Sequence, residues 1–119
     1  MLADNHEIVK ALQLYANLAE LHEENPFKYK AFASGAFNLR KIKEPLCELQ
    51  ESQLLMIPGV GKSVAKAIVE YSVSRKFPAL EELLSVTPVG LISMLGIKGL
   101  GPKKVRLIWQ SLEIETVED

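Results

Sequence analysis

The chain holds one cysteine, Cys47, so an intrachain disulfide and any multi-cysteine zinc site are excluded. No apolar run approaches the roughly 20 residues that a membrane span needs. The opening Met1-Leu2-Ala3-Asp4-Asn5 lacks a basic region followed by an apolar stretch, so it does not read as a secretory signal. Alternating apolar and polar positions are missing throughout, which leaves no basis for a strand longer than a turn. His6 and His22 stand without cysteine or paired acids at ligand spacing and read as surface or capping residues. An excess of basic residues is also lacking, because the net charge is -1. These absences point to an intracellular, cytoplasmic helical protein.

What is present suffices for a globular core: 48% of the residues are hydrophobic, enough to rule out wholesale disorder. A length of 119 residues fits one domain or two small subdomains. The charge is segregated. Between Pro26 and Lys43 lie Lys28, Lys30, Arg40, Lys41 and Lys43, with no acid among them. Gly59 to Val69 carries Lys62 and Lys66, and Lys98 to Ile108 carries Lys98, Lys103, Lys104 and Arg106, again without acids. The acids gather early (Asp4, Glu7, Glu20, Glu23, Glu24) and late (Glu113, Glu115, Glu118, Asp119). A neutral molecule patterned this way can present a local basic face.

The periodicity predicts an all-α fold. Asp4 with Glu7 three positions on forms a capping-box pattern, followed by Ile8, Ala11, Leu12, Tyr15, Leu18 and Ala19 at helical spacing. Asn25-Pro26 supplies a cap and a first-turn proline for a second helix, with Phe27, Ala31, Phe32, Ala36 and Leu39 expected on its inner side. Pro45 predicts a short turn with Leu46 and Leu49, and a short helix spans 52–56. A longer helix from Lys62 to Ser74 buries Val64, Ala65, Ile68 and Val69. Pro78, Thr87-Pro88 and Pro102 each open a further helix, the last with Val105, Leu107, Ile108 and Trp109 as its apolar residues.

An internal repeat stands out. Leu55-Met56-Ile57-Pro58-Gly59-Val60-Gly61 aligns with Leu95-Gly96-Ile97-Lys98-Gly99-Leu100-Gly101, and Ala65 with Val105. Each copy sits between a short helix and a longer one, the pattern of a helix-hairpin-helix. The first glycine of each pair allows a positive φ and a tight reversal. The second leaves the next helix's N-terminal amides open to a phosphate oxygen, helped by the helix dipole. The candidate phosphate-binding residues are Gly59, Val60, Gly61, Lys62 and Lys66 in the first copy. Gly99, Leu100, Gly101, Lys103 and Lys104 are their counterparts in the second, with Arg106 adding attraction. Nothing in such a corner reaches base edges, so binding would be sequence-independent and salt-sensitive. Gly61-Lys62-Ser63 does not end a nucleotide-hydrolase phosphate loop, because Met56 stands where that motif needs glycine and no strand precedes it.

Glu24-Asn25-Pro26-Phe27, Ile57-Pro58-Gly59-Val60-Gly61 and Gly96-Ile97-Lys98-Gly99-Leu100-Gly101-Pro102-Lys103-Lys104 together resemble the N-terminal region of family X DNA polymerases. The bacterial type, with a histidinol-phosphatase-like nuclease domain at its far C-terminus, is the nearest pattern. The resemblance implies an 8-kDa-type helical domain over 1–80, a second hairpin subdomain over 81–119, and a partner in gapped, nicked or 5′-phosphorylated DNA during base excision repair. It places the polymerase carboxylates beyond this chain, which looks like a fragment or free-standing relative, monomeric and without nucleotidyl transfer of its own. Eukaryotic members carry an abasic-site lyase lysine that falls here at Ala67, next to Lys66. Their 5′-phosphate pocket maps to Phe27, Lys28, Phe32 and Ser63. The resemblance also implies monovalent cations (sodium or potassium) on main-chain carbonyls of Leu55, Ile57 and Val60, and of Leu95, Ile97 and Leu100. Three functions stay open: non-specific DNA binding, residual abasic lyase activity, and a helical protein-interaction module.

Overall fold

The computed structural model describes residues 4–97 and 99–118, with side chains as far as Ser111. Lys98, the side chains of Glu113, Glu115 and Glu118, and Asp119 lie outside the described residues. The fold is all-α, and no strand occurs among the described residues. The order is α1 (Asn5–Leu21), α2 (Pro26–Leu39), a 3-10 turn (Leu46–Glu48), α3 (Glu51–Leu54), α4 (Lys62–Ser74), α5 (Pro78–Ser85), α6 (Val89–Leu95) and α7 (Pro102–Glu118). No single described helix is long and apolar enough to cross a membrane.

The helix starts follow local chemistry. The Asp4 carboxylate accepts the Glu7 N–H at 2.8 Å, and the Asn25 side chain accepts the Phe27 N–H at 3.0 Å. Such caps contribute about 1 kcal/mol each. Pro26, Pro78 and Pro102 each occupy a first helical position, where a missing N–H costs nothing. The capping box around α3 uses residues other than an acid: Gln50 and Gln53 cap each other's backbone.

α1 is the hub, packing against α2, α4, α5 and α7. Ile8, Leu12, Tyr15, Leu18 and Leu21 are all buried on it, so each contributes on the order of 1.5–3 kcal/mol of hydrophobic stabilisation. Tyr15, Phe32 and Phe77 join α1, α2 and the start of α5 in one aromatic cluster, with ring centroids 4.5–6.1 Å apart. Asn5 ties the loop after α2 to the start of α1. Its amide donates to the Ile42 and Glu44 carbonyls, and its oxygen accepts the Leu46 N–H.

Three side chains depart from the sequence pattern. Phe27 and Ala31 were expected inward on α2, but both are exposed, Phe27 at 87%. The inner face of α2 is instead Phe32, Gly35, Ala36 and Leu39, and at about 100° per residue Phe27 and Ala31 fall to one side of that stripe. Leu107 is likewise exposed on α7, whose buried contact is Val105. The end of α1, the segment after α5 and the middle of α7 meet at His22. Its Nε2 lies 2.7 Å from the Thr87 hydroxyl, which itself donates to the Leu83 carbonyl. Nε2 is therefore the protonated nitrogen. Trp109 packs edge-on against the His22 ring at 5.3 Å.

Candidate nucleic-acid interface

The two hairpins are built on the same backbone, displaced by 40 residues. Ile57 N–H donates to the Leu54 carbonyl at 3.1 Å, and Ile97 N–H to Met94 at 3.0 Å. Val60 donates to Ile57 at 3.1 Å, and Leu100 to Ile97 at 3.1 Å. The first bond of the following helix runs from Ala65 to Gly61 in one copy and from Val105 to Gly101 in the other. Gly59 and Gly99 take φ of 86° and 92°, values that exclude most side chains. Sequence alignment and hydrogen-bond geometry thus arrive at one repeated motif.

These bonds sort the candidate residues. Gly59, Gly61, Gly99 and Gly101 are all exposed, and each pair separates two distinct helices. Val60 and Leu100 must be corrected: their N–H groups are committed to Ile57 and Ile97, so neither offers an amide to an anion. The Val60 side chain is buried and pins the corner to the core, while Leu100 is half-buried. The free donors lie one step later. Because the first helical bond reaches back to Gly61, the amides of Gly61, Lys62, Ser63 and Val64 precede the α4 ladder, and no side chain caps them. In α7 the equivalent amides belong to Gly101, Lys103 and Lys104, since Pro102 has none.

Gly61 is informative for what does not require it. Its φ of −96° is open to any residue, and a Cβ there would meet nothing within 4 Å. A Cβ on Gly101 would meet nothing either. Helix starts favour Ser, Thr, Asp or Asn at this position. Glycine is an acceptable N-cap, but packing does not call for it and Ser, Asp or Asn would cap at least as well; glycine in addition leaves close outside access to a row of unpaired amides. Lys62, Lys66, Lys103 and Lys104 flank the two rows, exposed and unpaired with any carboxylate among the described residues. Lys104 Nζ reaches back to the Gly99 carbonyl at 3.4 Å, over its own hairpin. Arg106 turns away from that face, bonding the Leu21 carbonyl and pairing with Glu23, and so closes the C-terminal end of α1 rather than facing a ligand.

The pocket candidates separate. Phe27, Lys28 and Ser63 are at the surface, with the Lys28 ammonium 6.0 Å from the Tyr15 ring. Phe32 is corrected: at 2% exposure it belongs to the aromatic core and has no face to offer a phosphate. Ala67 is buried at 3%, whereas Lys66 beside it is exposed. In the carbonyl sets, Ile57 and Ile97 each accept one N–H already, which leaves one lone pair apiece. Neutral carbonyl oxygens of this kind suit a monovalent cation.

Two residues escaped the sequence reading. Gly35 in α2 faces the start of α4, where a Cβ would stand 3.1 Å from the Val64 side chain and 3.5 Å from the Gly59 carbonyl. Asn38 lies against Gly59, its amide donating to the Ser34 carbonyl at 3.0 Å. A glycine inside a helical pattern was the available signal, since it marks close approach of another backbone. Nothing in the sequence distinguishes Asn38.

Comparison with known proteins agrees with this geometry. A helix-hairpin-helix domain model matches residues 3–77, which takes in the first hairpin. The chain is 32% identical over 112 residues, 94% of its length, to the DNA polymerase/3′-5′ exonuclease PolX of Bacillus subtilis (strain 168). It spans 19% of that relative.

Proposed function

The chain belongs to the helix-hairpin-helix domain family, and from that premise we propose that it binds DNA without regard to sequence, as the DNA-holding segment of a family X repair or gap-filling polymerase. The observation that carries this reading is the pair of helix starts, at α4 and α7, each entered through an exposed glycine and flanked by lysines that no carboxylate pairs among the described residues. A phosphate oxygen at each corner would accept from the amides of Gly61, Lys62 and Ser63, or of Gly101, Lys103 and Lys104. The helix dipoles add partial positive charge there. Lys62, Lys66, Lys103 and Lys104 supply longer-range attraction and the counterion release that drives association.

On this reading the protein works as a cytoplasmic monomer on nucleoid DNA, with gaps, nicks or 5′-phosphate ends as its targets. Residues 1–80 and 81–119 each contribute one hairpin. Lys28, with Ser63 and the exposed Phe27 ring, is the part of the surface suited to a 5′ phosphate. Main-chain oxygens of Leu55, Ile57 and Val60, and of Leu95, Ile97 and Leu100, would hold monovalent cations, which supply positive charge beside the bound phosphate. The buried Ala67 gives a lyase no nucleophile, and polymerisation belongs to further domains of the parent protein.

The test is binding to a gapped duplex across a salt series. Four lysines at the contact predict a slope of about −3 to −4 in log K against log salt. Binding should be indifferent to base sequence. Absence of binding at low salt would overturn the reading in favour of a protein-interaction module.

A further inference from the structure

The N-terminal half of α1 and the end of α2 enclose a cleft of ≈ 430 Å³ that no hairpin residue lines; its walls are Asn5, His6, Val9, Lys10, Gln13, Leu39, Arg40 and Ile42. Its size lies within the usual range of small-molecule sites, roughly 300–1,000 Å³. The lining divides cleanly. Val9 and Leu39 are buried and Ile42 half-buried, giving an apolar floor. Lys10 and Arg40 are exposed, with no carboxylate in the lining and no ion pair to either among the described residues. His6 and Lys10 are four residues apart on α1, so they stand on one face about 6 Å apart.

The neighbouring polar groups are already engaged elsewhere. Asp4 caps α1 through the Glu7 N–H, and the Glu7 carboxylate pairs with Arg75 at 3.7 Å. The Asn5 side chain uses both its N–H groups and one oxygen lone pair in fastening the loop at residues 42–46. Gln13 donates one N–H to Asn17 at 3.1 Å and keeps its carbonyl and second N–H. The cleft therefore combines an apolar floor, one amide with spare bonding capacity, and two cations at the rim that no carboxylate pairs among the described residues.

We infer that this cleft binds a nucleotide, either free or as the unpaired end of a DNA strand. The ring system lies over Val9, Leu39 and Ile42, Gln13 reaches the ring edge, and the phosphate meets Lys10 and Arg40. A bare anion would leave the apolar floor wet, and an apolar ligand would leave both cations without a partner; a nucleotide satisfies both.

The experiment is NMR titration of the whole chain with adenosine 5′-monophosphate, following the amides of His6, Val9, Lys10, Gln13, Leu39 and Ile42. These signals should shift together with a Kd at or below about 1 mM, while inorganic phosphate and adenosine bind at least about tenfold more weakly. Lys10→Ala and Arg40→Ala remove exposed side chains, so the fold should persist, and each should weaken the monophosphate about tenfold or more. A duplex with a short unpaired tail, compared with a blunt one, then identifies the source. Matching shifts from the tailed duplex alone assign the ligand to a strand end, and shifts confined to the monophosphate assign it to free nucleotide. Inorganic phosphate binding as tightly as the monophosphate, shifts that survive both substitutions, or no shift at about 10 mM would each overturn the inference.

Discussion

The two hairpins share one backbone and differ in what stands behind it. The first is set into the core: Val60, Val64 and Ala65 are buried, Gly35 lets α2 close on Val64, and Asn38 lies against Gly59. The second projects. Leu100 is half-buried, Ile97 is 54% exposed, and a Cβ on Gly99 would meet nothing. Among the described residues its buried anchors are Leu91 and Val105, together with a polar junction: Arg106 on the end of α1, His22 on Thr87, and Trp109 on His22. The row of open amides is thus a property of the local turn, fixed by glycine and helix start. Stability is a property of the backing, and the two corners draw it from different interactions.

Alanine at the first glycine of each hairpin should expose this contrast most strongly. Gly59→Ala forces a side chain into φ of 86° and brings its Cβ to 2.1 Å from the Asn38 amide nitrogen. Asn38 would have to swing away and give up its bond to Ser34. Backbone strain plus one lost hydrogen bond predicts a loss of about 2–4 kcal/mol in urea unfolding. Gly99→Ala carries the strain alone, about 1–2 kcal/mol. In an Asn38→Ala background the first loss should fall to the level of the second. Equal losses in the unaltered chain would break the distinction.

Bulk at the second glycine should act on binding instead. Gly61→Val and Gly101→Val enter open space, so stability should change by no more than about 1 kcal/mol, the scale of a cap substitution. Affinity for a gapped duplex should drop about tenfold or more in each, because charge-assisted bonds to a phosphate are lost. The first should suffer more, since Pro102 removes one donor from the α7 row. A smaller effect sharpens the same point: Lys62→Ala or Lys103→Ala should each reduce the salt slope by about 1. Lys104→Ala should reduce it less, as that ammonium is partly engaged by Gly99. Unchanged slopes would remove the lysines from the contact.

The sequence carried the fold class and the motif, because both depend on short-range chemistry. Asp4, Asn25-Pro26, Pro78 and Pro102 start helices for reasons written in three or four residues. The glycine pairs likewise encode their own turns, which is why the repeat could be aligned before any geometry was known. What stayed hidden depends on which way a helical face points after packing. Phe27 and Ala31 have helical spacing, yet they fall to one side of the stripe that Phe32, Gly35, Ala36 and Leu39 bury. Arg106 looks like one more cation for DNA until the end of α1 is seen beside it. Val60 and Leu100 count among the phosphate-binding candidates, yet the tight turn itself consumes their amides, a detail of hydrogen-bond closure that residue type does not express. Phe32 draws two readings, an inner position by helical spacing and a pocket position by alignment, and its packing between Tyr15 and Phe77 decides for the first.

The smallest expected effect is one of pH, and it should touch only the projecting hairpin. Burial beside Thr87 and Trp109 holds the His22 imidazole below its ordinary value of 6.5, opposed by Glu24 and reinforced by Arg106. The folded chain therefore resists protonation that the unfolded chain accepts. The stabilising contribution is fully present above pH 6.5 and is lost as pH falls through the depressed folded value. Protonation sets a charge beside Arg106 in a site already holding one. Hydrogen exchange, corrected for intrinsic rates, should quicken in α7 and at Leu100 below pH 6.5, while α4 and Val60 keep their protection. His22→Gln, which retains an N–H donor for Thr87 and cannot titrate, should flatten the response. Acceleration spread evenly over both hairpins would show that the second corner is not held through His22.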